Sequence, residues 1–332
     1  MRYVVIGAGA VGGVVGALLA EAGHEVALVA RGAHGAAIRE RGLELRLPSR
    51  TVRTRTASAA SVGELGLRRG DVLLLATKSQ QTAALLDELA TPAVDGERAS
   101  EVLPILHLQN GVSNEDAALR LFAGVHGVLV VLPATHLEPG VVVGDGADVP
   151  GVLRVGLAAG GYDDVDERAA RDLAGAGFDA AVVDDVMAWK RAKLLRNLGN
   201  ALDALCGSGG DGADVVADLQ ARARAEGEAA FAAAGLPVVA DRAWEASLHG
   251  GVRRAQVPGR ERQGGSTWQS VARGQGSVET DHLNGEIARL GRLTGVPTPV
   301  NRALQRAMWR LVADGARPGS VAPADLAATV TS

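Results

Sequence analysis

The chain has a single cysteine, Cys206, so no intramolecular disulfide can form. One thiol fits a reducing compartment, and a cytoplasmic location is the expectation. An excess of one charge is also missing: 34 Lys and Arg stand against 38 Asp and Glu, a formal net charge of -4. Nothing in that balance draws the chain to nucleic acid or to an anionic membrane, and neither is expected as a partner. The seven histidines are scattered, with no pair at i, i+4. Glu279, His282 and Glu286 would share a helix face, but a solvated face explains them as well as a metal would, and no metal is expected. A long membrane run is lacking too. YVVIGAGAVGGVVGALLA is apolar for 18 residues, short of the roughly 20 that a spanning helix needs, and clustered glycines interrupt it. We read it as neither signal peptide nor span, and find no other targeting segment.

What is present fits an ordinary globular protein: 332 residues, 47% hydrophobic and 22% charged. That length makes two domains the expectation. RYVVIGAG reads as a buried strand entering a glycine turn, residues 11–22 as a helix closed by Gly23, and EVALVAR as a second strand. The runs DVLLLATK (71–78), VLPILHLQNG (102–111) and GVLVVLPATH (127–136) continue the alternation, with TAALLDELA as a helix among them. GVVVGDG and LRVGLAAG read as a hairpin-type pair. Strands alternating with helices predict an α/β, doubly wound, parallel sheet. From about residue 185 every periodic stretch is helical and ends near glycine, which predicts an all-α domain. The expected division is residues 1–184 and 185–332. VPGRERQGGSTWQSVARGQGS (257–277) reads as a long polar loop, and such loops are often functional.

Gly7, Gly9 and Gly12 form G-x-G-x-x-G between a strand and a helix that Ala10 and Val11 open. The first glycine permits the turn, and the second lets the backbone approach a pyrophosphate seated on the helix N-terminus. Close packing of helix on strand is the plainer explanation of the same glycines. After the second strand, where an NAD site usually carries Asp or Glu, Arg31 follows Ala30 and no acid is present at that point of the chain. A guanidinium there suits the 2′-phosphate of NADP; Arg31 also reads as one solvated arginine among many. Lys78 and Asn110 end later strands at the edge where such sheets bind ligands, although a solvated lysine and an Asn-Gly turn account for them too. RAKLLRNLGNALDAL, residues 191–205, reads as one helix with a leucine face. Beside that face Lys193, Asn197 and Asn200 form a polar stripe at spacings of three and four.

Taken together, GAGAVGG, Arg31, TKSQQT, LQNGV, EPGVV, WKRAKLLRNLGNALDAL, GGSTWQS and VETDHLNGEI followed by GVPTPVN resemble the ketopantoate reductases, NADP-dependent 2-dehydropantoate 2-reductases. The resemblance covers nearly the whole chain. It implies a Rossmann-type domain followed by a helical one, an active site in the cleft between them, and hydride transfer from NADPH to the keto carbon of a 2-oxo acid. Residue by residue, it gives Lys193 the part of the catalytic lysine and Glu279 that of the active-site glutamate. Asn197 takes the asparagine one turn on. The family's second asparagine would fall at Ala201, and Asn200 takes its role one residue early. Thr267 stands for the substrate-binding serine. Gly264 and Val271 depart from the family, which often has asparagine and aspartate there. The implied partner is a small 2-oxo acid; a homodimer is allowed by the pattern, not demanded. Two other readings stay open: a reductase of the same fold acting on another 2-oxo acid or ketone, and a non-catalytic NADP-binding sensor. Against the sensor stands the retained pair Lys193 and Glu279.

Overall fold

The computed structural model describes residues 1–207, 212–247, 252–257, 264–274, 276 and 278–330. They form two compact units, the first of Met1–Lys190 with Ala240–Arg260, the second of Arg191–Val239 with Glu261–Ser332.

The first unit is built on an eight-stranded sheet. Its strands are β1 (Arg2–Ile6), β2 (Glu25–Val29), β3 (Ala57–Ala59), β4 (Asp71–Leu75), β5 (Ile105–His107), β6 (Val125–Val131), β7 (Val152–Leu157) and β8 (Asp179–Val182). They lie in the order β8-β7-β6-β5-β4-β1-β2-β3. From β3 to β6 neighbouring strands are parallel, while β7 runs antiparallel to β6 and carries β8 parallel to itself. All five residues of β1 and of β4 are buried, as expected for strands covered on both faces.

Helix α1 (Ala10–Glu21) follows β1 and is buried continuously from Gly12 to Leu19. A second sheet accounts for this. Ala134–Glu138, Val141–Gly144, Leu43–Arg46 and Thr51–Thr54 form four strands on the other side of α1. A Cβ at Gly13 would lie 2.9 Å from Val142, and one at Gly16 would lie 2.8 Å from Leu28. The helix is thus apolar all round because it is walled on two sides. Among the described residues no helix is long and apolar enough to cross a membrane.

The same sheet corrects the expected hairpin. Val141–Gly144 pairs with Ala134–Glu138 and Leu43–Arg46, whereas Val152–Leu157 joins the main sheet beside β6. GVLVVLPATH likewise divides between the two sheets, at Leu132 and Pro133. Pro133 has no amide to extend the ladder of β6, and its carbonyl instead accepts from Asp145 N–H at 2.8 Å.

The division into units departs from the expected boundary at 184/185. Ala240–Arg260 belongs to the first unit, where Arg154 bonds Ser247 and Arg253 pairs with Asp148. Helices α2 (Gly32–Arg41), α3 (Thr82–Ala90) and α4 (Asp164–Gly175) complete what the site needs from this unit. Helix α5 (Val186–Asn197) begins in the first unit and ends in the second.

The second unit is helical: α6 (Asn200–Cys206), α7 (Ala213–Ala233), α8 (Ser266–Ala272), α9 (Asn284–Thr294) and α10 (Pro299–Ala313) are its main elements. The stretch expected as one helix is therefore two, with a corner at Leu198 and Gly199. The buried Asn284 donates to Leu198 O at 3.2 Å, claiming a carbonyl that a continuous helix would use, and also bonds Asn301 Oδ1 at 3.0 Å. The leucine face survives the corner: Leu194, Leu195, Leu198, Leu202 and Leu205 are all buried. Gly227 of α7 lets the helices close on it, since a Cβ there would sit 2.5 Å from Leu195. Glu226 caps α10, accepting from Val300 N–H at 2.8 Å and Asn301 N–H at 3.0 Å. Of the long loop at 257–277, residues 258–263, 275 and 277 lie outside the described residues, and α8 occupies much of the rest.

Candidate active site

The turn between β1 and α1 shows why its glycines are there. Gly7 has φ +95°, and a Cβ on it would lie 2.6 Å from Thr77 Cγ2. A Cβ on Gly12 would lie 2.2 Å from Gly7 O, inside the turn itself. Those two positions are fixed by packing. Gly9 differs: nothing lies within 4 Å of its Cβ position, so the chain leaves open space over the middle of the turn. No side chain caps α1. The amides of Ala10, Val11 and Gly12 have no acceptor within the helix, and an anion is the natural one. A dinucleotide pyrophosphate fits this cradle.

His34, which sequence reasoning missed, holds the turn from α2. Gly140 N–H donates to its Nδ1 at 2.9 Å, so Nε2 carries the proton and donates to Ala8 O at 2.7 Å. Both bonds require the neutral ring, and His136 stands edge-on at 4.2 Å. Burial lowers the His34 pKa below its ordinary 6.5. The unfolded chain therefore takes up this proton first as pH falls. Stability that His34 contributes is complete above pH 6.5 and declines below it, towards the lower folded value. We expect the thermal midpoint to fall as pH drops through that window, and His34→Gln to flatten the dependence. An equally steep profile in the variant would assign it to other groups.

Arg31, Lys78 and Asn110 follow β2, β4 and β5, at the carboxyl ends of parallel strands on either side of β1. Arg31 is exposed, and its guanidinium donates to Glu88 Oε2 on α3 at 2.6 Å and to Ala60 O at 3.4 Å. No acid neighbours Arg31 along the chain at the end of β2, but the fold brings one from 57 residues away. Lys78 and Asn110 are half-buried and stand on turns locked to each other. Gln109 donates to Thr77 O at 3.0 Å and to Thr82 Oγ1 at 2.8 Å. Asn114 donates to Asn110 O at 3.0 Å and to Ser79 Oγ at 3.2 Å. The buried amides Gln109 and Asn114 set where the two candidate contacts stand. Nothing in a linear reading of LQNG marked Gln109, because its partners lie about thirty residues away.

The remaining candidates all belong to the second unit. Lys193 and Asn197 are half-buried, one turn apart on α5. Asn200 is not on their helix; it is the first residue of α6. The one-helix argument that placed it on the Lys193 stripe therefore fails, and α6 supplies a different neighbour. Asp203 Oδ2 of α6 accepts from Gly265 N–H at 2.7 Å, pinning the start of α8 against α6. A Cβ at Gly265 would lie 3.8 Å from Asn200 Oδ1. Asn200 is thus brought beside the helix that carries Thr267, which is buried. Glu279 is buried at the head of a short 3-10 turn, Glu279–His282, packed on α9 and α10. Its companion in the conjectured metal face, Glu286, instead pairs with Arg289 at 2.6 Å.

Gly264 and Val271 also gain a physical reading. Gly264 has φ +61°, and a Cβ on it would lie 2.3 Å from the indole of Trp268. No asparagine fits there while Trp268 keeps its place. Val271 is buried on α8, where a carboxylate would need a partner.

The family description Ketopantoate reductase PanE/ApbA matches residues 3–158, and its C-terminal counterpart matches residues 185–310. A 2-dehydropantoate 2-reductase of Mesorhizobium japonicum is 30% identical over 95% of this chain and 98% of its own. One from Pyrococcus horikoshii is 32% identical over 59% of this chain; that match spans 61% of the relative's length. Among solved structures, a PanE/ApbA family ketopantoate reductase from Ralstonia eutropha is 30% identical, with a TM-score of 0.76 over 95% of this chain and 99% of that one. D-mandelate dehydrogenase, solved with NADH and anilino(oxo)acetate, has a TM-score of 0.77 at 20% identity over 95% of this chain and 99% of its own, a likeness of fold alone. The two family matches flank the junction where strands give way to helices, and the chain belongs to the ketopantoate reductase family.

Proposed function

We propose that this chain reduces a 2-oxo acid with NADPH, ketopantoate to pantoate being the first candidate. The observation that carries the reading is the Asp203–Gly265 bond, 2.7 Å long. It pins the start of α8, which carries Thr267, against α6, which carries Asn200, so two candidate substrate contacts far apart in sequence stand on neighbouring helices. Bound NADPH supplies the hydride. The chain's own residues do the rest. The cradle of Gly7, Gly9, Ala10, Val11 and Gly12 takes the pyrophosphate, Arg31 the 2′-phosphate, and Lys78 and Asn110 the ribose side. Negative charge builds on the ketone oxygen during reduction. Lys193 Nζ stabilises it electrostatically and delivers the proton. Glu279 keeps the lysine or a substrate hydroxyl in position, Asn197 and Asn200 orient the substrate without adding charge, and Thr267 bonds its carboxylate. In this reading the protein works as a cytoplasmic enzyme on a small molecule, and a homodimer through the C-terminal helices is allowed, not demanded.

A second reading is favoured by one feature. With Trp268 over Gly264 and Val271 on the same helix, two positions that could have met a hydroxylated substrate offer it no polar side chain. A less hydroxylated 2-oxo acid suits that surface better. The test is a panel of 2-oxo acids including ketopantoate, followed by loss of NADPH absorbance. Fastest turnover of ketopantoate supports the first reading, and preference for an apolar 2-oxo acid supports the second. Binding of NADPH with no turnover of any acid would overturn both and leave a sensor.

A further inference from the structure

We propose that Glu88 is a second cofactor-selecting residue, which lets the adenosine end of the site accept NADH as well as NADPH. The inference rests on the dinucleotide reading of the glycine turn. Selection between the two cofactors is a matter of charge at the ribose 2′ position: a cation favours the phosphate, and a carboxylate favours the free hydroxyl. This chain places both. Arg31 follows β2 directly, and Glu88 reaches it from α3 with Oε2 at 2.6 Å from the guanidinium. The pair is built rather than incidental. Arg31 Nε is tethered to Ala60 O at 3.4 Å, and the Ala60 amide is held by Glu64 at 3.0 Å. Glu64 is therefore engaged with the backbone, whereas among the described residues the Glu88 carboxylate bonds Arg31 alone. A 2′-phosphate has to draw Arg31 away from Glu88 and then tolerate that carboxylate nearby. A ribose hydroxyl meets no such repulsion and finds an acceptor of the kind that NAD sites supply from the end of β2. Both side chains retain solvent exposure, 63% for Arg31 and 34% for Glu88, so the effect is moderate and salt-sensitive.

The test needs no substrate. NADPH and NADH are titrated onto the whole chain by their fluorescence, with Glu88→Gln, Glu88→Lys and Arg31→Ala alongside the parent. We expect the parent to bind both, NADPH the tighter. Glu88→Gln should tighten NADPH and weaken NADH, each about two- to fivefold. Glu88→Lys should shift the ratio further the same way, and Arg31→Ala should move it towards NADH. The Glu88→Gln shift should shrink in high salt. A ratio that stays put in Glu88→Gln, or moves towards NADH, overturns the proposal, because a merely structural role for Glu88 would weaken both cofactors together. A parent that binds neither dinucleotide would overturn the reading of the glycine turn as well.

Discussion

Lys193→Ala loses about two to four orders of magnitude in kcat, the range a positioned general acid supplies, while NADPH still binds. The separation follows from where the residues lie. Every cofactor candidate falls within Met1–Lys190, and Lys193 lies beyond it. Removing the lysine takes away the charge that meets the developing oxyanion and the proton that neutralises it. The cradle from Gly7 to Gly12 is left alone. Lys193→Arg keeps the charge but holds its proton far more tightly, so it should recover little of the rate. The measurement is single-turnover reduction beside an NADPH titration of the same preparation. Turnover within a few-fold of the parent would remove Lys193 from the chemistry. A matching loss of NADPH affinity would mean that the substitution had disturbed the fold.

The architecture was legible where a local pattern suffices. The strand, glycine turn and helix from Arg2 to Glu21, and the arginine two residues past β2, could be read directly. The reason for Gly12 came only with the structure, where a Cβ on it would meet Gly7 O, five residues earlier. What was hidden depended on distant partners. Glu88 sits on an ordinary amphipathic helix, and only the fold carries it to Arg31. The corner at Leu198 was invisible because the leucine period runs unbroken through it; the cause is Asn284, 86 residues on. The second sheet escaped for the same reason, because Val141–Gly144 finds its parallel partner in Leu43–Arg46, nearly a hundred residues earlier. Short apolar runs state that they will be buried but not against what. Asn200 shows the cost of reading period alone: it begins α6 and does not lie on the Lys193 helix.

Lys190 carries the largest stability effect we expect. It looks like one more charge beside Arg191, yet it is only 3% exposed, and its ammonium lies 2.6 Å from Glu115, itself 1% exposed. Lys190 Nζ also donates to Gln109 O at 2.8 Å. Among the described residues neither Glu115 oxygen takes a hydrogen bond of good angle, so the charge of Lys190 is what holds that carboxylate. Lys190→Met should therefore strand a buried anion and lower the stability of the first unit by about 3–5 kcal/mol. Glu115→Leu strands the cation less severely, because the Gln109 carbonyl still accepts from it. Replacing both together should restore much of the loss, since an apolar pair of similar volume avoids the desolvation of two ions. Denaturant titration of the parent, the two single variants and the double variant measures the coupling directly. The four titrations should be followed by a probe within the first unit, because two units need not unfold as one. A Lys190→Met variant that loses less than about 1 kcal/mol would place the pair in the class of solvated ion pairs, against its burial. The same variant frees the backbone before Asn110, so NADPH affinity should fall with stability in Lys190→Met and recover less completely in the double variant, where the Gln109 carbonyl still lacks its donor.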